Sequence, residues 1–220
     1  MRPMSLQWAG LSRADGGARF AFGRTEALAS VSGPIEVRLT SEYPSRATLD
    51  VIVRPLVGVP GTCEKLFGKR LQQVFEQVLL LNQHPRTLVQ VVLQSLSSSP
   101  PPGSAITGSV AATLINVTSL ALLHAASIPM RGVVCAVAVG KERITGNLVL
   151  DPDPLRMDQE SIGCFGFLFS ESNEPQAVWT DWTGRFGQEY HNALNLSRSG
   201  ALLVVESLRR SLQTDSMDIS

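Results

Sequence analysis

The chain has 220 residues, of which 44% are hydrophobic and 17% are charged. This composition supplies enough apolar side chains for a folded core and excludes a largely disordered protein. Lys plus Arg and Asp plus Glu both number 19, so the formal net charge is zero. No global positive field therefore draws the chain to nucleic acid or to a membrane surface, and any such binding must come from a local cluster of side chains.

The first part of the chain shows the apolar patterning of β-strands, followed by one helix. The predicted strands, which together form a sheet, cover residues 19–24, 26–32, 35–40 and 47–53. Thr62 is a suitable helix N-cap, and the apolar residues after it recur at helical spacing. We expect this helix to end at Asn82-Gln83-His84-Pro85, because proline does not continue a helix.

The second part of the chain continues the alternation of strands and helices. We predict a strand over residues 88–96, a buried helix over 104–126 and strands over 132–139 and 147–150, which form a second β-α-β unit. The remaining predicted elements are a hairpin over 162–169 and 177–182 and a final helix over 187–212. This order predicts an α+β fold of the split β-α-β type, in a single domain over residues 1–220.

The three cysteines stand at wide spacings, at Cys63, Cys135 and Cys164, without a Cys-x-x-Cys pair. This pattern predicts buried thiols in a reducing compartment, and neither a metal site nor a cofactor is expected. The first residues lack the apolar core of a signal peptide, and no uncharged apolar stretch reaches the roughly 20 residues of a membrane span. We therefore expect the apolar segment 105–126 to be a core helix.

The segment between residues 97 and 108 carries the main functional signal of the sequence. A serine and proline run leads into Ser104-Ala105-Ile106-Thr107-Gly108 at the start of a helix. This helix start resembles the RNase PH family, in which a preceding Asp-Gly-Gly-Thr-Arg loop holds the phosphate that attacks the 3′ end of RNA. The alignment puts Pro102 at the Arg position. Proline has neither a cationic side chain nor a backbone N–H, so the resemblance implies a phosphate loop without its donors.

A second resemblance lies at Leu148-Val149-Leu150-Asp151-Pro152-Asp153-Pro154, which matches the strand end that carries catalytic carboxylates in the family. Asp151 and Asp153 occupy two Asp positions of the motif. The second catalytic Asp, six residues beyond the first, falls on Met157, whose thioether cannot act as a general acid or hold Mg²⁺. Two Asp residues flanked by prolines are also typical of a turn. The resemblance therefore implies a degenerate catalytic site.

The resemblance covers nearly the whole chain and is strongest to the non-catalytic, RNase PH-like ring subunits of the eukaryotic RNA exosome. Its further segments are residues 11–16, 32–37, 47–55, 64–65 and 84–87. It implies the RNase PH-like fold, which a ribosomal protein also contains (ribosomal protein S5 domain 2-like). It also implies pairing with other RNase PH-like subunits in a six-member ring beneath S1/KH cap subunits. Such a ring passes single-stranded RNA to a separate exoribonuclease, in the nucleus, nucleolus and cytoplasm.

Four basic residues are the candidates for RNA contact: Arg46, Lys65, Lys69 and Arg70. Arg46 occupies a position where the family carries an Arg, and the others lie on the helix that follows. Contacts from Lys and Arg to phosphates are independent of base sequence, which suits a channel that passes any RNA. The alternative is that the helical residues form an ordinary solvated face. For function, the alternative is an active phosphorolytic exoribonuclease whose missing groups come from a neighbouring subunit.

Overall fold

The computed structural model describes residues 1–97, 106, 108–153, 159–171, 174–185 and 187–217. The predicted degenerate positions Pro102 and Met157 lie outside these residues. A five-stranded sheet comprises β1 (Met4–Trp8), β2 (Gly16–Phe22), β3 (Thr25–Glu36), β4 (Thr48–Arg54) and β5 (Thr87–Ser95). A four-stranded sheet comprises β6 (Val133–Glu142), β7 (Leu148–Leu150), β8 (Gln159–Phe169) and β9 (Gln176–Trp182). The described α-helices are α1 (Thr62–Val78), α2 (Gly108–Ala125) and α3 (Gln188–Met217).

The two sheets are held together by helix α2, which contacts β2 and β3 of the first sheet and β6 and β8 of the second. Nearly every α2 side chain is buried, as its apolar sequence predicts. Among the described residues, α2 alone is long and apolar enough to cross a membrane, and 78% of it lies inside the protein. Helix α1 packs on β4, and α3 packs on the second sheet.

The strand order is β1-β2-β3-β5-β4 in the first sheet and β7-β6-β8-β9 in the second. Strands β4 and β5 are parallel, so β4-α1-β5 is a crossover unit. The predicted second β-α-β unit is wrong, because β5 and β6 belong to different sheets. The physical reason is that α2 is buried on all sides, with apolar residues around the whole helix and a few buried polar ones among them. A helix with one apolar face would pack on a single sheet. Helix α2 instead buries apolar side chains against both sheets.

Four local expectations also differ from the structure. Helix α1 ends at Val78, before the predicted end at residues 82–85, because Leu79 is extended and forms a β-bridge with Met130. Strand β1 was not predicted, and residues 35–40 are not a separate strand, since β3 continues to Glu36 after an irregularity and Leu39–Ser41 forms a 3₁₀ turn. The N-cap of α1 is Gly61 rather than Thr62. The reason is that the Glu64 carboxylate accepts a hydrogen bond from the Gly61 N–H at 2.8 Å, so the helix starts one residue earlier.

Polar side chains of the buried helix α2 form hydrogen bonds with backbone groups along one edge of β6. Asn116 Nδ2 donates to the carbonyl of Ala136 at 2.8 Å, and its Oδ1 accepts from the Ala136 N–H at 2.7 Å. Ser119 Oγ donates to the carbonyl of Val134 at 2.6 Å. Farther along the same edge, the Ala138 carbonyl accepts from the N–H of Asp151 at 2.7 Å. This edge of β6 therefore runs from the polar side chains of α2 to the backbone of Asp151.

Candidate functional site

Asp151 lies directly after β7, in a turn that directs its side chain into the protein interior. Its φ is 51°, in the left-handed region that Asp adopts more readily than most residues. The hydrogen bond from its N–H to Ala138 fixes the backbone, and its side chain is fully buried. An ionised carboxylate in such a place needs charged or hydrogen-bonding partners.

The partners of the Asp151 carboxylate are Arg2 and Ser109. Arg2 Nη2 donates to Oδ1 at 2.6 Å, while its Nε and its backbone N donate to Oδ2 at 2.8 and 3.2 Å. The Ser109 hydroxyl donates to Oδ1 at 2.7 Å, from the first turn of α2. The guanidinium forms a two-bond fork with the carboxylate, which is the strongest type of protein ion pair. Both carboxylate oxygens are thus engaged within the chain.

Arg2 is also tied to the turn between β2 and β3. Its Nη1 donates to Thr25 Oγ1 at 3.1 Å, and its side chain runs beside Gly23, which has a φ of 57°. The side chain of Arg2 thereby joins the first sheet to the end of β7 in the second. The sequence analysis missed this residue because it stands 149 positions from Asp151 and has no motif around it.

Asp153 lies farther out than Asp151, with 31% of its side chain exposed and Arg24 Nη2 at 3.8 Å. A cavity of about 530 Å³ opens beside these residues. Its lining includes Met1, Arg2, Glu142, Thr145, Asp151 and Asp153. Within the described ranges, no group of three or more His, Cys, Asp or Glu side chains is arranged to hold a metal ion. Three carboxylates therefore line the cavity: Asp151, which is paired inside the protein, Asp153 at the rim, and Glu142, which accepts a hydrogen bond from Thr145 Oγ1 at 2.8 Å.

A chain of hydrogen bonds links two of the basic candidates along α1. Lys69 Nζ donates to Gln72 Oε1 at 3.2 Å, and Gln72 Nε2 donates to Glu76 Oε1 at 2.8 Å. Arg46 Nη1 donates to Glu76 Oε2 at 3.2 Å, and its guanidinium lies 4.8 Å from the centre of the Tyr43 ring. Arg46 and Lys69 therefore belong to one network of hydrogen-bonded side chains, in which the Glu76 carboxylate neutralises part of their positive charge.

The remaining two basic candidates lie on different flanks of α1. Lys65 lines a groove between α1 and β4 together with Lys69. The Arg70 guanidinium instead lies 4.6 Å from the centre of the Trp179 ring in β9, in cation–π geometry. Arg46, Lys65 and Lys69 thus share the β4 side of the helix, whereas Arg70 connects the helix to the second sheet.

Two of the three cysteines are fully buried, at Cys135 in β6 and Cys164 in β8, and none of the three forms a disulfide. Burial raises the pKa of both buried thiols, since the interior disfavours the thiolate. Neither thiol is a nucleophile at neutral pH, and both pack as small apolar groups.

Comparison with known proteins gives consistent matches. The profile of the family described as "3' exoribonuclease family, domain 1" (RNase_PH) matches residues 1–127. The Schizosaccharomyces pombe protein named "Exosome complex component rrp46" is 36% identical over 181 residues, which cover 81% of this chain and 75% of that protein. The Oryza sativa "Exosome complex exonuclease RRP46 homolog" is 29% identical over 80% of this chain and 69% of its own. The crystal structure of rice Rrp46 aligns with a TM-score of 0.80 and 27% identity, covering 97% of this chain and 95% of that one.

Proposed function

The chain belongs to the RNase PH family of 3′ exoribonucleases, and we propose that it is a non-catalytic structural subunit of an RNA exosome core ring. The S. pombe relative is named as an exosome component, and this chain aligns with three quarters of its length. Its fold is the RNase PH-like α+β fold of rice Rrp46. In this proposal residues 1–220 form one RNase PH-like domain.

The observation that carries the non-catalytic part of the proposal is the engagement of Asp151. A general acid or a metal-binding carboxylate must present an oxygen to the reacting groups. Both oxygens of Asp151 instead accept hydrogen bonds from Arg2 and Ser109, and the side chain is fully buried. The substitutions at the aligned positions, Pro102 and Met157, support the same conclusion from the sequence.

The proposed role is to assemble with other RNase PH-like subunits in a six-member ring and to guide the 3′ ends of single-stranded RNA through its channel. S1/KH cap subunits stand on one side of this ring and a separate exoribonuclease on the other. Arg46, Lys65 and Lys69 on the β4 side of α1 are the proposed contacts with RNA phosphates, and the fourth candidate, Arg70, holds the same helix against Trp179 of β9. The proposed locations are the nucleus, the nucleolus and the cytoplasm.

A phosphate-dependent RNA degradation assay tests the proposal on the chain alone and on its heterodimer with another RNase PH-like subunit. The expected result is no release of nucleoside diphosphates, with or without Mg²⁺, because loss of a catalytic acid or of an anion-binding donor slows such reactions by orders of magnitude. Release that depends on phosphate and disappears in Asp151→Asn would overturn the non-catalytic assignment.

The second candidate function is an active phosphorolytic 3′-to-5′ exoribonuclease with a site completed by a partner subunit. The observation that favours it is the name of the rice relative, which is called an exosome complex exonuclease. The same assay decides between the two candidates, since activity confined to the heterodimer and lost with Asp151→Asn would support this one.

A further inference from the structure

The surroundings of Asp151 have the form of a receptor for one planar cation. Three residues, each at most 3% exposed, build this site: Asp151, Ser109 and Thr25. Asp151 and Thr25 bind the Arg2 guanidinium directly, and Ser109 binds the Asp151 carboxylate. The Asp151 oxygens bind Nε and Nη2, and Thr25 Oγ1 binds Nη1. The Ser109 hydroxyl donates to Oδ1, the oxygen that Arg2 Nη2 also binds, and so helps to fix the orientation of the carboxylate. Each guanidinium nitrogen thus has a defined acceptor.

We propose that Asp151, Ser109 and Thr25 form a guanidinium-binding site, which the chain fills with its own Arg2, and that residues 1–3 form a strap closing the degenerate catalytic site. The inference rests on the proposed non-catalytic function, because a carboxylate needed for chemistry could not be permanently paired. A guanidinium presents several donors in one plane, whereas an ammonium is a compact point charge, so the site distinguishes arginine from lysine by shape although both carry one positive charge.

The strap has a second attachment besides the ion pair. The carbonyl of Pro3 accepts a hydrogen bond from the N–H of Gly23 at 2.8 Å. A Cβ at Gly23 would lie 3.3 Å from Arg2 Cδ, so the turn between β2 and β3 is shaped around the Arg2 side chain. Met1 and Arg2 line the 530 Å³ cavity together with Asp151, and withdrawal of residues 1–3 would leave the Asp151 carboxylate there without its paired cation.

The first test is chemical rescue of Arg2→Ala in the full chain by methylguanidinium, with sodium chloride at equal ionic strength as the reference. Removing one partner of a buried ion pair lowers the melting temperature of a protein of this size by roughly 10 °C. Millimolar methylguanidinium is expected to restore part of the loss in a saturable way, since a ligand that binds only the folded state stabilises it. Methylammonium should restore less.

The matched control is Arg19→Ala. Arg19 lies in β2 with about half of its side chain exposed and Glu26 at 3.7 Å, so its removal leaves no buried receptor. Methylguanidinium should not change the melting temperature of this variant or of the wild type. Equal effects on Arg2→Ala and Arg19→Ala would overturn the proposal, as would an Arg2→Ala variant as stable as the wild type.

If Arg2→Ala does not fold unaided, we measure the yield of folded protein after dilution from urea, with and without methylguanidinium. A higher yield with methylguanidinium supports the site, and an unchanged yield overturns it. Adding Asp151→Asn to Arg2→Ala removes the charged acceptor and should abolish the rescue in either format. The degradation assay on the wild type tests the non-catalytic function separately, so activity there would leave the rescue result as it stands.

Discussion

Gly68 of α1 lies so close to β4 that a Cβ added to it would stand 2.9 Å from the backbone oxygen of Val51. A real Cβ does not approach a carbonyl oxygen this closely. The helix can therefore reach the strand at this point only because the residue is glycine.

We expect Gly68→Ala to destabilise the protein, although alanine is favoured over glycine in a helix by about 1 kcal/mol. The Cβ must push α1 away from β4, and this cost should exceed the gain in propensity. Gly200→Ala in α3 is the matched control, because its nearest neighbour would be the end of the flexible Leu150 side chain. Urea unfolding of both variants checks the prediction. Equal stability changes would show that α1 has room to adjust.

Asn116→Leu should lower the free energy of unfolding by about 3 kcal/mol, because it leaves the Ala136 N–H and carbonyl without buried partners. Thr118→Val is a suitable control, since Thr118 Oγ1 only adds a second bond to the Leu114 carbonyl of its own helix. We expect a cost of about 1 kcal/mol or less for that change. Thermal unfolding followed by circular dichroism compares the two, and similar losses would argue against a special role for Asn116.

Lys141 is expected to make stability depend on pH in the alkaline range. Its pKa is raised above the usual lysine value, first by the hydrogen bond to Glu189 at 2.7 Å and then by that to Glu160, whose carboxylate lies 3.1 Å away. The stabilisation is therefore complete below the ordinary lysine pKa and is lost as the pH rises through the raised value. Lys141→Arg remains charged there and should not show the additional loss. Urea unfolding from neutral to strongly alkaline pH compares the two, and parallel curves would contradict the prediction.

Arg46→Gln combined with Lys69→Gln should weaken binding of single-stranded RNA by the assembled ring, equally for all RNA sequences. Each neutralised phosphate contact should reduce the salt slope by roughly 0.7. Arg70→Gln is the comparison, because its guanidinium packs on Trp179 and its removal should affect the α1–β9 contact more than the salt slope. Filter binding at several salt concentrations measures the slopes. Unchanged affinity in an intact ring would assign Arg46 and Lys69 to a solvated face.

The sequence predicted most elements because their information is local. The spacing of apolar residues located α1, and the apolar run located α2. The placement of α2 between two sheets was not predicted. A largely apolar sequence shows that a helix is buried, but it does not show which strands pack against it. The partner of Asp151 was not predicted either. Arg2 is distant in sequence, and a single arginine carries no periodicity or motif that identifies its partner.

The hydrogen bonds along one edge of β6 have a consequence for aggregation. An open strand edge can recruit a strand from another chain, which leads to swapped or fibrillar assemblies. At Val134, Ala136 and Ala138 the carbonyl oxygens already accept hydrogen bonds from Ser119, Asn116 and the Asp151 backbone. A foreign strand would have to displace a buried helix to pair there. The polar residues of α2 thus protect the part of β6 that precedes its pairing with β7.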